Sequence, residues 1–145
     1  MFKHILLPTD GSELSLRAVA LGAKVAAACQ SRVTVLHVVL PLHVHAYLAD
    51  MLASADIDYT IEAERQAQTY LDAAARVVAQ AGGGCQRLAL CRERVAQGIL
   101  DVAMEHACDL IVMGSHGRQG IQRLLLGSAT HDVIVQGDIP VLVCR

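Results

Sequence analysis

Aromatic residues are almost missing from this sequence: its 145 residues include no tryptophan, one phenylalanine and three tyrosines. A core without large rings has to be assembled from Ala, Val, Leu and Ile. That composition suits helices packed on a buried parallel sheet, and 54 % of the chain is hydrophobic. Long apolar runs are lacking too. No stretch reaches the ~18 uninterrupted apolar residues of a helical membrane span, so none is expected. Neither sign of charge dominates, with 12 Lys and Arg against 14 Asp and Glu and a net charge of −2. Bulk electrostatics therefore gives no attraction to nucleic acid or to an anionic membrane. The basic residues are scattered, apart from a local group at Arg87, Arg92 and Arg94. Cys29, Cys85, Cys91, Cys108 and Cys144 form no CxxC pair and no zinc spacing. Their mostly apolar neighbours read as ordinary small core or sheet positions. The N-terminus enters the strand-like run Ile5-Leu6-Leu7 without a signal-peptide layout. A reducing, cytoplasmic setting is the expectation.

What is present is a regular alternation. Residues 2–7 read as a strand, and Asp10-Gly11-Ser12-Glu13 opens a helix reaching about Cys29. Asp10 or Ser12 is its cap, and Asp10 with Glu13 has capping-box spacing. Arg32 to Val39 is a β-branched run ended by Pro41, a buried strand. Residues 40–56 read as irregular, with a short helix around Ala46 to Ala53. Ala63, Ala67, Leu71, Ala74, Val78 and Ala81 recur at helical steps, predicting a helix from about Asp58 to the stop at Gly82-Gly83-Gly84. A strand from Cys85 to Cys91, a helix from Val95 to His106 and a strand from Leu110 to Met113 follow. A helix near 128–136 and a strand from Pro140 to Cys144 complete the series. With no internal linker or repeat, residues 1–145 are expected to form one domain. β-α-β alternation of this kind implies a parallel, doubly wound α/β sheet.

The most informative segment begins where Leu110-Ile111-Val112-Met113 stops: Gly114-Ser115-His116-Gly117-Arg118, then Gly127-Ser128-Ala129 at the start of the next helix. Its spacing is Gly-x2-Gly-x9-Gly-Ser. Glycines at a strand's carboxyl end let backbone N–H groups approach a phosphate, and a helix N-terminus favours an anion. The segment reads as a phosphate cradle. It is neither a Walker loop nor a GxGxxG fingerprint, so hydride chemistry has no support. If the first and fourth strands are neighbours, Pro8-Thr9-Asp10-Gly11 borders the same crevice, with His37-Val38-Val39 as a further wall.

Each residue also has a plainer reading. Asp10 either faces the ligand or caps the first helix, and one carboxylate can do both. Ser128 is a cap or a phosphate donor, which overlap physically. His116 either steadies a phosphate or is a solvated loop histidine. Arg118 and Arg123 either neutralise phosphates or face solvent. His43-x-His45 lacks a third ligand of evident spacing, so no metal site is expected there. Ser12, Ser115 and Ser128 show no readable Ser-His-Asp arrangement, which leaves hydrolase chemistry unsupported.

The opening Ile5-Leu6-Leu7-Pro8-Thr9-Asp10-Gly11-Ser12 and the strand Val35-Leu36-His37-Val38 resemble the universal stress protein family. So do Asp109 to Gly117, Arg123-Leu124-Leu125-Leu126-Gly127-Ser128 and the closing Ile139-Pro140-Val141-Leu142-Val143. The resemblance spans essentially the whole chain. It implies a flavodoxin-like, three-layer α/β/α fold with a five-stranded parallel sheet of order 3-2-1-4-5, and the ATP-binding branch. On that resemblance Gly117, Gly127 and Ser128 hold phosphates, Pro8, Thr9, Asp10 and Gly114 surround the ribose, and Val38 and Met113 lie near adenine. One departure stands at Arg92-Glu93-Arg94, where related sequences often carry a Gly-x-Pro turn.

Two classes of function follow: a regulatory module that binds ATP, ADP or AMP, or an enzyme that hydrolyses ATP or transfers a phosphoryl group. Fast transfer needs positioned cations, a metal and a base. The loop has no lysine and no assignable base, so the module is preferred and any ATPase activity is expected to be slow. Mg²⁺ or Mn²⁺ is expected to be held through the phosphates. The apolar strand Val141, Leu142, Val143 would lie at the sheet edge and is expected to pair two copies into a homodimer, an arrangement the resemblance also implies. A regulatory protein partner is anticipated without being identified.

Overall fold

The strands His4–Pro8 and Leu110–Gly114 are buried at every position because both of their faces are covered. The computed structural model describes residues 1–41, 55–118 and 126–145. The short helix expected around Ala46 to Ala53, the His43-x-His45 pair, Gly120 and Arg123 lie outside these residues. The elements are β1 (His4–Pro8), α1 (Glu13–Cys29), β2 (Arg32–Val39), α2 (Ala55–Gln80), β3 (Gln86–Cys91), α3 (Val95–Glu105), β4 (Leu110–Gly114), α4 (Ser128–Gln136) and β5 (Val141–Cys144). All strand pairs are parallel, in the order β3-β2-β1-β4-β5. The strand order reverses between β1 and β4, where Ile5 pairs with Leu110 and Leu6 with Ile111.

Strand side chains alternate between faces, and the core divides accordingly. Ile5, Leu7, Val33, Val35, Leu110 and Val112 pack with Val19 and Ala23 of α1 and Leu71, Ala74 and Val78 of α2. Leu6, Leu36, Val38, Ile111 and Met113 pack with Ile99, Leu100 and Val102 of α3 and Val133 of α4. The sheet is thus the middle of three layers, and its carboxyl ends are free to carry loops.

Some local expectations change. β1 begins at His4 rather than residue 2, and the helix predicted from Asp58 begins at Ala55. Asp10 and Glu13 do not form the capping box: Ser12 is the N-cap of α1, its side chain accepting the Ser15 N–H at 3.2 Å. Asp10 lies too far upstream and instead accepts the Ser12 N–H. The arginine group is dispersed among carboxylates. Arg87 pairs with Asp72, Arg92 with Asp101 at 3.2 Å and Arg94 with Asp132 at 3.7 Å. Cys108 is buried, and burial together with the Asp109 charge pushes its thiol up to about 11. Cys91, by contrast, is exposed on β3.

Candidate functional site

A cleft opens at the carboxyl ends of β1, β2 and β4. Leu36, Val38, Val95, Ile99 and Met113 form its apolar part. Pro8, Thr9, Asp10, Ser15, Gly114, His116, Gly117, Ala129 and Thr130 form the other part, and His37 borders it. Thus Pro8, Thr9, Asp10, Val38, Met113, Gly114, His116, Gly117 and Ala129, singled out in the sequence, lie around one cavity. Arg118, Gly127 and Ser128 are outside its wall, next to residues that form it. Ser15, Val95, Ile99 and Thr130 carried no motif, and Leu36 stood in a quoted strand without a site role. Val95 and Ile99, four apart on α3, had an apolar helical spacing that could have found them.

Asp10 organises the floor. Its Oδ1 accepts the Ser12 N–H at 3.0 Å and its Oδ2 accepts the Arg118 N–H at 2.8 Å. Burial pushes this carboxyl up, but hydrogen bonding from the Ser12 side chain and backbone, the Arg118 backbone and Ser15 outweighs it, leaving the pKa below the ordinary value. Thr9 is anchored separately: its Oγ1 contacts Ser15 Oγ at 3.0 Å and accepts the Gly11 N–H at 3.1 Å. His37 Nδ1 lies 2.8 Å from the Thr9 carbonyl. A carbonyl only accepts, so Nδ1 carries the proton.

The glycines are also places of close packing. A Cβ on Gly117 would lie 2.6 Å from Asp10 Oδ2, and one on Gly127 would lie 2.9 Å from His116 Cα. At both positions the loop packs closely against its neighbours. Gly127 also donates its N–H to the Ser115 carbonyl at 2.7 Å, so that donor is already used.

The starts of the two helices that follow β1 and β4 differ. α1 is capped by Ser12, whereas α4 begins after Gly127 with no side-chain cap. The first N–H groups of a helix have no intrahelical acceptor. At α4 they stand beside Ala129 and Thr130 of the cleft wall, while Thr130 Oγ1 donates to the Gly114 carbonyl at 2.8 Å and ties the helix to β4. The Ser115 and His116 side chains meet at 3.1 Å (Oγ to Nδ1). Among the described residues no group of three His, Cys, Asp or Glu side chains is arranged to hold a metal ion. Chemically, the cleft offers an apolar slot that ends in a carboxylate, small loop residues and backbone donors.

Comparison with known proteins gives a consistent picture. A model of the universal stress protein family matches residues 1–145. The universal stress protein in the QAH/OAS sulfhydrylase 3′ region of Thermus aquaticus is 32 % identical over 145 residues, covering 100 % of both chains. The universal stress protein UspA from Lactobacillus plantarum has a TM-score of 0.80 at 25 % identity, covering 99 % of this chain and 97 % of that one. The universal stress protein from Archaeoglobus fulgidus in complex with dAMP has a TM-score of 0.70 at 22 % identity, covering 100 % and 98 %.

Proposed function

The chain belongs to the universal stress protein family, and from that premise we propose that it is a regulatory protein of the ATP-binding branch, whose conformation or protein partner depends on bound ATP, ADP or AMP. Residues 1–145 act as one nucleotide-binding domain in a cytoplasmic setting. The observation that carries this reading is the continuity of one cleft from an apolar slot to Asp10 and then to the uncapped start of α4. A flat base suits the slot between Val38 and Met113. A ribose suits Pro8, Thr9, Asp10 and Gly114, whose carboxylate and hydroxyl recognise vicinal hydroxyls. Phosphates suit the His116-Gly117-Arg118 loop and the N–H groups at Ser128 and Ala129, with Gly127 permitting the close turn. The dAMP complex of the Archaeoglobus fulgidus protein speaks for the fold, and the reading rests on this chain's own cleft.

A divalent ion, Mg²⁺ or Mn²⁺, would arrive with the nucleotide and take phosphate oxygens and water as its ligands. Its role is to neutralise phosphate charge. The residues of this chain bind and orient: backbone donors face the anion, and Asp10 fixes the loop. The only lysines are Lys3 and Lys24, on β1's amino-terminal side and on α1, so none serves the γ-phosphate. This favours binding over turnover.

We place a homodimer contact at β5. Among the described residues this strand pairs with β4 on one side only, and Leu142 is exposed.

The test is the nucleotide content of freshly purified protein, by mass spectrometry of the denatured supernatant, followed by calorimetry with ATP and AMP. Adenine nucleotide that co-purifies and stays intact over hours is the expected result. Protein that carries none and shows no affinity for either ligand would refute the reading. Turnover near ~10 s⁻¹ would make it an enzyme instead.

A further inference from the structure

Tyr70, on α2, is the half-buried aromatic on which the loop after β1, the end of β2 and the loop after β4 converge. A Cβ placed on Gly11 would lie 2.2 Å from Tyr70 Cδ1, so the ring lies directly against the Gly11 backbone, at φ +76°. The His37 ring meets it edge-on, 5.1 Å between centroids at 76°. The Arg118 guanidinium sits 4.6 Å from its centroid, within cation–π range. Of these four residues only His37 borders the cleft, whose apolar slot is on the face of α3 and α4. Tyr70 belongs to α2 in the opposite layer, next to the buried Leu71 and Ala74.

We propose that Tyr70 is a positioning residue for the nucleotide cleft, holding Gly11 and Arg118 so that the Asp10 carboxylate is presented in one orientation. Asp10 sits between two clamped neighbours. On one side the Thr9 carbonyl accepts from His37, whose ring leans on Tyr70. On the other side Gly11 lies under the ring itself. Its carboxylate then accepts the N–H of Arg118, whose side chain covers the same ring. Removing the ring releases both neighbours and the Arg118 side chain together, while a ring without its hydroxyl keeps every contact named. No hydrogen bond of the hydroxyl enters this account. The inference rests on the nucleotide-binding reading above for its ligand and on the ring contacts for its geometry.

The test compares wild type, Tyr70→Phe and Tyr70→Leu by calorimetry with ATP and AMP, and by carbon-13 titration of the Asp10 carboxyl. Tyr70→Phe should bind within about twofold of wild type, and Tyr70→Leu roughly tenfold more weakly. In Tyr70→Leu the Asp10 titration should move up toward an ordinary carboxyl. Val78→Ala, which trims the same helix in the core, should lower stability without either effect. If Tyr70→Leu does not fold, Tyr70→Met, flexible and of similar reach, replaces it. Leucine or methionine variants that bind like wild type with an unmoved Asp10 titration would overturn the proposal. So would a Phe variant as impaired as Leu. If wild type binds no adenine nucleotide, the functional reading fails. The Asp10 titration then decides the positioning role by itself, an upward move in the Leu variant supporting it and an unmoved one overturning it.

Discussion

The Arg118 N–H donates to Asp10 Oδ2 across 108 residues of sequence, at 2.8 Å. This bond joins the loops of β1 and β4, the two strands between which the sheet order reverses. It makes Asp10 a structural member of the cleft. Of its two sequence readings the helix cap falls to Ser12, and Asp10 instead accepts the Ser12 N–H just before α1.

Replacing Asp10 by asparagine should cost about 1 kcal/mol at neutral pH, since two charge-assisted acceptors are weakened. The pH dependence has a definite sign. The folded-state pKa is lowered, so the carboxylate's stabilisation is complete above the unfolded value and lost as pH falls through the folded one. The gap between wild type and Asp10→Asn in urea unfolding should be full at pH 7 and close below about pH 4. A gap that widens with acid would contradict the assignment.

Gly127 and Gly82 separate two kinds of glycine requirement. At Gly127 an added methyl meets His116 Cα at 2.9 Å, whereas at Gly82, with φ +83°, it meets nothing within 4 Å. Gly127→Ala should displace the loop, costing about 1–3 kcal/mol by overpacking, and should lower nucleotide affinity. Gly82→Ala should cost about 1 kcal/mol in backbone strain alone and leave binding untouched. Chemical denaturation and calorimetry on both variants decide the matter. Equal binding by the Gly127 variant would remove this contact from the site.

At the edge of the sheet β5 has one neighbour among the described residues, and Leu142, Ile134 and Val135 are exposed. Light scattering at micromolar concentration should give a dimeric mass. Aspartate at both Val141 and Val143 should convert it to monomer while circular dichroism stays native. A dimer that survives the double change would place the contact elsewhere.

The succession of strands and helices was legible because apolar runs alternated with helical stripes and no linker intervened, while the strand order came from the family resemblance. Element ends were legible where proline or glycine stood, as at Pro41 after β2 and Gly82-Gly83-Gly84 after α2. What the spacing of Gly117 and Gly127 could not convey was their packing, Gly117 against Asp10 of another loop and Gly127 against His116 at the far end of its own. Tyr70 escaped for the same cause, since α2 lies far along the chain from both loops it touches. A faint sign existed. It is one of four Phe and Tyr residues in the chain, and it stands in a helix whose buried stripe, Ala67, Leu71, Ala74 and Val78, has no ring. The capping box between Asp10 and Glu13 misled because its spacing fits, while Ser12 is the residue with extended backbone (ψ 156°) directly before the helix.

The pairing of Arg87, Arg92 and Arg94 with Asp72, Asp101 and Asp132 has a kinetic meaning. Their fields are largely cancelled within a few ångströms, and the whole chain carries only −2. On the proposed reading, a nucleotide diffusing toward the cleft would not be drawn in from a distance, and its capture would be settled after collision, by oriented backbone dipoles that act only at contact range. Stopped-flow measurements should find an association rate nearly flat from low to physiological ionic strength. The selectivity of this protein for its ligand would then reside in how long the complex lasts, not in how often it forms.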